Sequence, residues 1–340
     1  MNAATFPKVT VAFLSWNRLH YLRATVASAR ECIRYPNLEW IVSDNASDEP
    51  GVREYVDSLN WMDHRLIKRQ THAEAMNELV RVATGEYLIL WPDDMQFVVR
   101  GEWLADIVEI LDAHPSIGSV GLDFLRHVTL ETLYTPRWWP NRGRLLDEVR
   151  RYGLNFRRPR TLQSSRGFTL RTTGWTWRGI CASGIPSLTR TQVWRDLGPW
   201  RVKTAGASSV VDSSLGAEDD MLLRFNESRR PLQSAFLMLS VAADIITDPT
   251  GCKAKCRGRY RYGVYMPPPS GPYYYRIRDQ ADFAGHAGPL PISFTEGVQA
   301  EGFRIPMDAR GDRLKHSINL SVVHDMQRRV DVPWPLTLDP

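Results

Sequence analysis

Glu86-Tyr87-Leu88-Ile89-Leu90-Trp91-Pro92-Asp93-Asp94 is the stretch on which the reading of the fold turns. The run from Glu86 to Trp91 is short and mostly apolar, with aromatics and a β-branched residue, so it predicts a buried strand. Pro92 is expected to end it, because proline has no N–H to give the ladder. Two carboxylates then leave the carboxyl end of a sheet strand together, the edge where open α/β sheets bind ligands. Magnesium is usually held by one or two carboxylates plus substrate phosphates, so the pair suggests a metal–diphosphate site. The same dipeptide is also ordinary turn material, and the case rests on its neighbours.

Working outward, Val9 to Leu14 reads as a first strand, followed by the polar Ser15-Trp16-Asn17-Arg18. Leu19, Leu22, Val26, Ala29 and Ile33 then recur at helical spacing. Leu38 to Val42 predicts a second strand ending in Ser43-Asp44-Asn45-Ala46-Ser47-Asp48, and His64 to Lys68 a short third. Ala73, Met76, Asn77 and Val80 mark another helical stripe, separated by Gly85 from the aspartate-bearing strand. Strands alternating with helices imply a mostly parallel sheet in layers. Three polar clusters, at Ser15–Arg18, Asp44–Asp48 and Asp93–Asp94, would then share one edge.

These pieces resemble the family 2 glycosyltransferases with the GT-A fold. Ser15-Trp16-Asn17-Arg18 matches the family's aromatic-Asn-Arg element, and Val42 to Asp48 its Asp-Asn/Asp-x-Ser-x-Asp element. Ala73-Glu74-Ala75-Met76-Asn77 is similar to the Ala-x-Ala-Arg-Asn helix, and Gly85-Glu86-Tyr87 with Pro92-Asp93-Asp94 to Gly-Glu-Tyr before a DxD-type motif. Gly216 to Leu222 resembles the Gly-x-Glu-Asp-x-x-Leu element that carries the catalytic base. The resemblance covers residues 8–125 and 179–250. Four departures stand out. Pro92 replaces the first of three acids, Thr71 a glycine, and Met76 an arginine; no histidine follows the Glu-Asp element closely, so Asp248 or a later His286 would complete the metal shell.

The resemblance implies an α/β, GT-A-like nucleotide-diphospho-sugar transferase fold, a mostly parallel sheet flanked by helices, with a basic insert and an irregular C-terminal extension. Its parts are a nucleotide-sugar-binding half (1–125), a basic aromatic insert (126–178), an acceptor and catalytic-base half (179–250) and an extension or lid (251–340). Ser15, Trp16, Asn17, Arg18, Asp44, Asn45, Asn77 and Asp93 are the expected donor contacts. Trp16 can stack on a base and Asp44 can accept from a ring N–H such as that of uracil. Asp93 suits the ribose hydroxyls, and Asp94, with Asp248, a manganese or magnesium ion. Asp219 is the expected base, with Glu218 and Asp220 as rivals among three adjacent acids. The implied reaction is metal-dependent, inverting transfer of a sugar from a nucleoside-diphosphate sugar, a UDP-sugar first, to an acceptor hydroxyl.

With 340 residues, 43% hydrophobic and 24% charged, the chain can build a substantial core. No apolar run reaches membrane-spanning length and no secretory signal is evident, so a cytoplasmic location is expected. Four cysteines do not suggest a disulfide framework. Arg137 to Arg178 holds eleven arginines and two acids, a local formal charge of +9 within a chain total of +5. Interleaved tryptophans and phenylalanines there suit phosphate and base contact, although a solvated basic insertion has the same composition. A glycan or lipid-linked sugar is the expected acceptor. Hydroxyl-bearing modified bases in nucleic acid, or a phosphorylated lipid at a membrane surface, are the alternatives this insert keeps open. A nucleotidyltransferase would show a glycine-rich loop after the first strand, and Leu14 to Arg18 has no glycine. A non-catalytic nucleic-acid-binding module remains the third class.

Overall fold

The structure is a computed structural model. It describes residues 6–17, 19–93, 95–122, 160–172, 187–201, 232–237, 241–244 and 277–283, with short pieces at 221, 224–225, 273–275 and 297–299. At its centre lies β1 (Val9–Ser15), flanked by β2 (Leu38–Asp44) and β4 (Tyr87–Pro92), both parallel to it. Beyond β2 lies β3 (His64–Ile67), also parallel. The nine-stranded sheet continues past β4 in the order β10 (Ser187–Arg190), β7 (Ile117–Gly121), β11 (Gln233–Leu237), β9 (Thr169–Thr172), β8 (Thr161–Gln163). Only β10 and β9 run against the direction of the other strands. The expected mostly parallel sheet between helices is therefore the one observed.

Strand periodicity assigns the two faces. Val9, Val11 and Phe13 of β1 face one cluster, together with Leu22, Val26 and Ala29 of α1 (Leu19–Cys32), Val52 and Val56 of α2 (Val52–Ser58), and Leu104, Ile107 and Leu111 of α4 (Trp103–Ala113). Ala12, between them in sequence, faces the opposite cluster with Met76, Leu79 and Val80 of α3 (His72–Val82) and Val193 and Trp194 of α5 (Thr191–Leu197). Successive side chains point to opposite faces, so one strand feeds both layers. Residues 221, 224 and 225 are helical, and Met221 and Phe225 are buried in this second layer.

Several local readings shift. β4 runs one residue past the expected stop, since Pro92 pairs with Leu14 as the last residue of the ladder, where a missing N–H costs little. α2 was not anticipated; it follows Gly51, whose φ of +86° is the left-handed conformation glycine tolerates. Thr71, a departure from the family pattern, caps α3 in a reciprocal capping box with Glu74. Residues 160–172 of the expected insert form the β8–β9 hairpin and extend the main sheet; residues 123–159 lie outside the described residues. From the expected lid, β14 (Arg278–Asp279) pairs with β6 (Val99–Arg100), after β5 (Met95–Phe97) has paired with β12 (Ala242–Asp244). Arg100 binds Asp279 at 2.9 Å and Gln280 donates to Asp106 at 3.2 Å, so 277–283 lies against β6 and α4. A further ladder joins β13 (Tyr273–Tyr275) to β15 (Gly297–Gln299). Among the described residues no helix is long and apolar enough to cross a membrane.

At the amino ends of the central strands a buried carboxylate holds the ladder. Glu39 accepts from the Thr10 hydroxyl and from both the amide and the hydroxyl of Thr84 (2.8 Å each). Gly85 belongs to the same knot: a Cβ there would stand 2.6 Å from the Thr10 backbone nitrogen, which explains the glycine. Burial pushes the Glu39 carboxyl up, but the bonds from Thr10 and Thr84 and the nearby His64 outweigh it, and the net shift is downward. A depressed folded-state pKa contributes stability that is present above the unfolded value and lost as pH falls through the folded one. We expect Glu39→Ala to cost about 3 kcal/mol in urea unfolding, because three donors lose a charged acceptor. Glu39→Gln should flatten the acid-side fall of stability; an unchanged acid limb would remove Glu39 from that role.

Candidate active site at the sheet edge

Parallel register brings the ends of β1, β2 and β4 level. Ser15 pairs with Asp44 and Leu14 with Pro92, so the three polar clusters leave the sheet at the same edge. Two backbone bonds seal that edge, from Asn45 N to Ser15 O at 2.8 Å and from Lys68 N to Asp44 O at 3.1 Å. Asp44 and Asp93 are both buried. The Trp16 amide donates to Asp93 Oδ2 at 3.4 Å, linking the loop after β1 to the turn after β4.

Ser47 ties the loops after β1 and β2 together. Its hydroxyl donates to Asp44 Oδ1 at 2.5 Å and accepts from the Asn17 amide at 2.7 Å, while its own amide donates to Asp44 Oδ2 at 2.9 Å. Asn17 Oδ1 in turn accepts from the amides of Asp48 and Glu49, at 2.8 and 3.1 Å. Asn45 Oδ1 accepts from the Gln70 amide at 2.7 Å, bringing in the loop before α3. Burial raises the Asp44 carboxyl above the usual aspartate value, opposed by the Ser47 bonds and by Arg69 and Arg53.

Two features mark this edge as more than a closed turn. Asn17 (φ 53°) and Ala46 (φ 45°) are the described non-glycine residues in the left-handed region, and they lie in adjacent loops here. Such conformations cost about 1–3 kcal/mol each and cluster at ligand sites. Ser15 Oγ and Trp16 Nε1 are buried polar atoms without a hydrogen-bond partner among the described residues. Buried polar atoms are nearly always satisfied, so both have hydrogen-bonding capacity to spare at this edge, as do Trp194 Nε1 and Trp200 Nε1 in the second layer.

Of the expected site residues, Ser15, Trp16, Asn17, Asp44, Asn45 and Asp93 are brought together. Asn77 is not with them. Its amide donates to Trp200 O at 2.9 Å and accepts from Trp200 N at 2.7 Å, anchoring α3 to the segment after α5. Arg18, Asp94, Glu218, Asp219, Asp220 and Asp248 lie outside the described residues. A local turn in which Asp44 accepts from Ser47 is what the sequence allows, and the structure has it; the further support, from Asn17, Gln70 and the hydroxyls of α1 described below, has no such pattern. Ser47 had a signal, its fixed spacing from Asp44; a hydroxyl on a buried helix face has none.

Among the described residues no three ligating side chains converge. A hard cation at this edge would take one or two carboxylates from the chain and complete its shell with substrate oxygens, a donor set that suits magnesium or manganese.

A sheet edge that gathers carboxylates, an aromatic and unmatched polar atoms beyond parallel strands is where open α/β folds bind their ligands. The family model described as glycosyl transferase family 2 matches residues 10–176, and over those residues the chain is similar to that family. The match runs on through most of the stretch expected to be an insert. An uncharacterized protein of Sinorhizobium fredii, y4gI, is 30% identical over 120 residues, 34% of this chain and 13% of that protein. Among solved structures, Staphylococcus aureus TarS 1-349 is 14% identical over 68% of this chain and 58% of its own, with a TM-score of 0.41. The mannosyltransferase PcManGT from Pyrobaculum calidifontis, in complex with GDP-Man and Mn2+, is 20% identical over 62% of this chain and 51% of its own, with a TM-score of 0.37. The chain thus spans little more than half of these solved relatives and a small part of the curated one.

Removing the hub tests how the edge is held. Ser47→Ala should lower stability by about 2 kcal/mol, the loss of a charged and a neutral hydrogen bond, measured by chemical denaturation. A loss under about 0.5 kcal/mol, the range of ordinary surface substitutions, would show that the two loops hold without it.

Proposed function

We propose that this chain transfers a sugar from a nucleoside-diphosphate sugar to an acceptor hydroxyl, with inversion and with a divalent cation at the diphosphate. The observation that carries the reading is the meeting of buried Asp44 and Asp93 at one sheet edge beside the unmatched Ser15 and Trp16 atoms. Strands in a ladder lie about 4.8 Å apart, so β2 and β4, with β1 between them, are roughly 10 Å apart. Metal–oxygen bonds are near 2 Å, so that separation suits two ends of a nucleoside better than one ion. Asp44 then reads the base edge, a uracil N–H first, with Trp16 supplying the flat partner. Asp93 takes the ribose hydroxyls, and Asp94 is left for the cation.

When bound, the cation offsets the charge that develops on the departing diphosphate. The chain's own acids do the rest. Asp219 accepts the proton of the acceptor hydroxyl as that oxygen forms its bond to the anomeric carbon. The bond from that carbon to the diphosphate oxygen breaks on the opposite face, and the nucleoside diphosphate leaves with the electron pair. Met221 and Phe225, buried against the α3 layer, directly follow Glu218-Asp219-Asp220 in sequence, which supports a role for those acids. β12 brings the chain back in register with Met95 just before Asp248, which supports Asp248 as a further ligand. A glycan or a lipid-linked sugar is the proposed acceptor, on the family resemblance alone.

A thermal-shift screen of nucleotide sugars with and without manganese tests the donor and the metal together. We expect a shift with one nucleoside class, UDP first, that grows with manganese. Asp94→Ala should abolish the manganese-dependent part. Asp219→Asn should keep donor binding and lose turnover by at least about a hundredfold, the usual worth of a general base. No nucleotide-sugar shift under any metal condition, or near-normal turnover in Asp219→Asn, would overturn the assignment it addresses.

A further inference from the structure

α1 does more than cover the sheet. Thr25, buried on its inner face, directs its hydroxyl at the turn after β4, to the carbonyl of Asp93 at 2.8 Å and that of Met95 at 2.7 Å. Those are the two carbonyls on either side of residue 94, and one hydroxyl proton is shared between them. Three residues on, Ser28 donates to the Thr25 carbonyl at 2.9 Å and accepts from the Phe97 amide at 3.1 Å. Trp91 Nε1 donates to the Met95 carbonyl at 3.0 Å, so the turn is gripped between its own strand and α1. A helical threonine ordinarily turns its hydroxyl back to the preceding turn of its own helix. Thr25 spends it on another segment, with a β-branched χ1 that leaves the group little freedom.

We propose that Thr25 is a positioning residue for the carboxylate at 94: by holding the carbonyls before and after that residue, it sets how Asp94 meets a diphosphate-bound cation. The inference rests on the reading in which Asp94 serves the cation. It predicts that the hydroxyl, and not merely the volume, of residue 25 governs metal-dependent binding. Misplacement of a ligand by a fraction of an ångström is enough to weaken a site whose geometry is held by outer partners.

The experiment compares Thr25→Val, which keeps shape and removes the hydroxyl, with Thr25→Ser, which restores it. UDP and GDP binding are measured by calorimetry across a manganese series, with ligand-free melting alongside. Thr25→Val should weaken the manganese-dependent component about tenfold, the effect of one lost hydrogen bond, and leave the manganese-independent remainder unchanged. Thr25→Ser should stay within about threefold of the natural chain. Ser28→Ala, which loosens Phe97, should lower the melting temperature without altering manganese dependence. If Thr25→Val does not fold, Thr25→Cys, a weaker donor of similar size, takes its place with the same expectation. Wild-type manganese dependence in Thr25→Val, or an equal loss of both components that serine does not rescue, overturns the inference while Asp94→Ala still abolishes metal-dependent binding. Manganese-dependent binding that survives in Asp94→Ala sinks the underlying reading instead.

Discussion

Parallel pairing of β2, β1 and β4 at matched length is the constraint on which the rest of this structure depends. The three strands begin beside one another at the Glu39 knot and end beside one another at Ser15, Asp44 and Pro92. Parallel strands require crossovers over a face, so α1 and α3 must each cover the sheet before the chain can return. The polar residues that follow each strand are thereby delivered to one edge, whatever their separation along the chain. Apolar burial on both faces of β1 makes that register costly to slip, because a shift of one residue would exchange the faces of Val11 and Ala12.

The same geometry explains why this edge tolerates buried acids. An isolated buried carboxylate is expensive, and its pKa rises until it neutralises or finds partners. Asp44 has both oxygens engaged by Ser47, yet burial still dominates and its carboxyl stays raised. A group held in that state favours a ligand that brings a hydrogen-bond donor, such as a base N–H, over one that brings a negative charge. In the proposed reaction a diphosphate would need its compensation from elsewhere, from a cation beside the turn after β4.

Much of this architecture was legible because it is written in periodicity. The stripes of α1 and α3 and the apolar runs of β1, β2 and β4 fell where expected, within a residue or two at their ends. Short elements were not legible: α2 and the β8–β9 hairpin carry too few residues for a pattern, and the hairpin's exposed arginines read as part of a basic insert. Thr71 looked like a defect until its pairing with Glu74 showed a cap. Asn77 shows another limit of local reading. Its motif position pointed to the donor, while its actual partner, Trp200, is far along the chain and invisible to local reading. The acids at the edge could be named in advance, and Ser47 sits at a local spacing from Asp44; its bond to Asn17 and the hold of Thr25 on the turn after β4 depend on tertiary contacts.

The strained residues complete the argument. Asn17 and Ala46 hold left-handed conformations that a polypeptide does not adopt without compensation. For Asn17 the compensation is visible: its side chain satisfies two amides of the neighbouring loop and its own amide finds Ser47. Ala46 has only a methyl group, with no polar atom to offset its conformation, so the loop between Asp44 and Ser47 is bent by its ends. Bending it aligns the Ser47 hydroxyl and amide on the two oxygens of one carboxylate. Free energy stored in this way is recovered only if the aligned groups act together, which is why strain at a sheet edge, next to buried atoms with unmet hydrogen bonds, argues for a site formed before its ligand arrives.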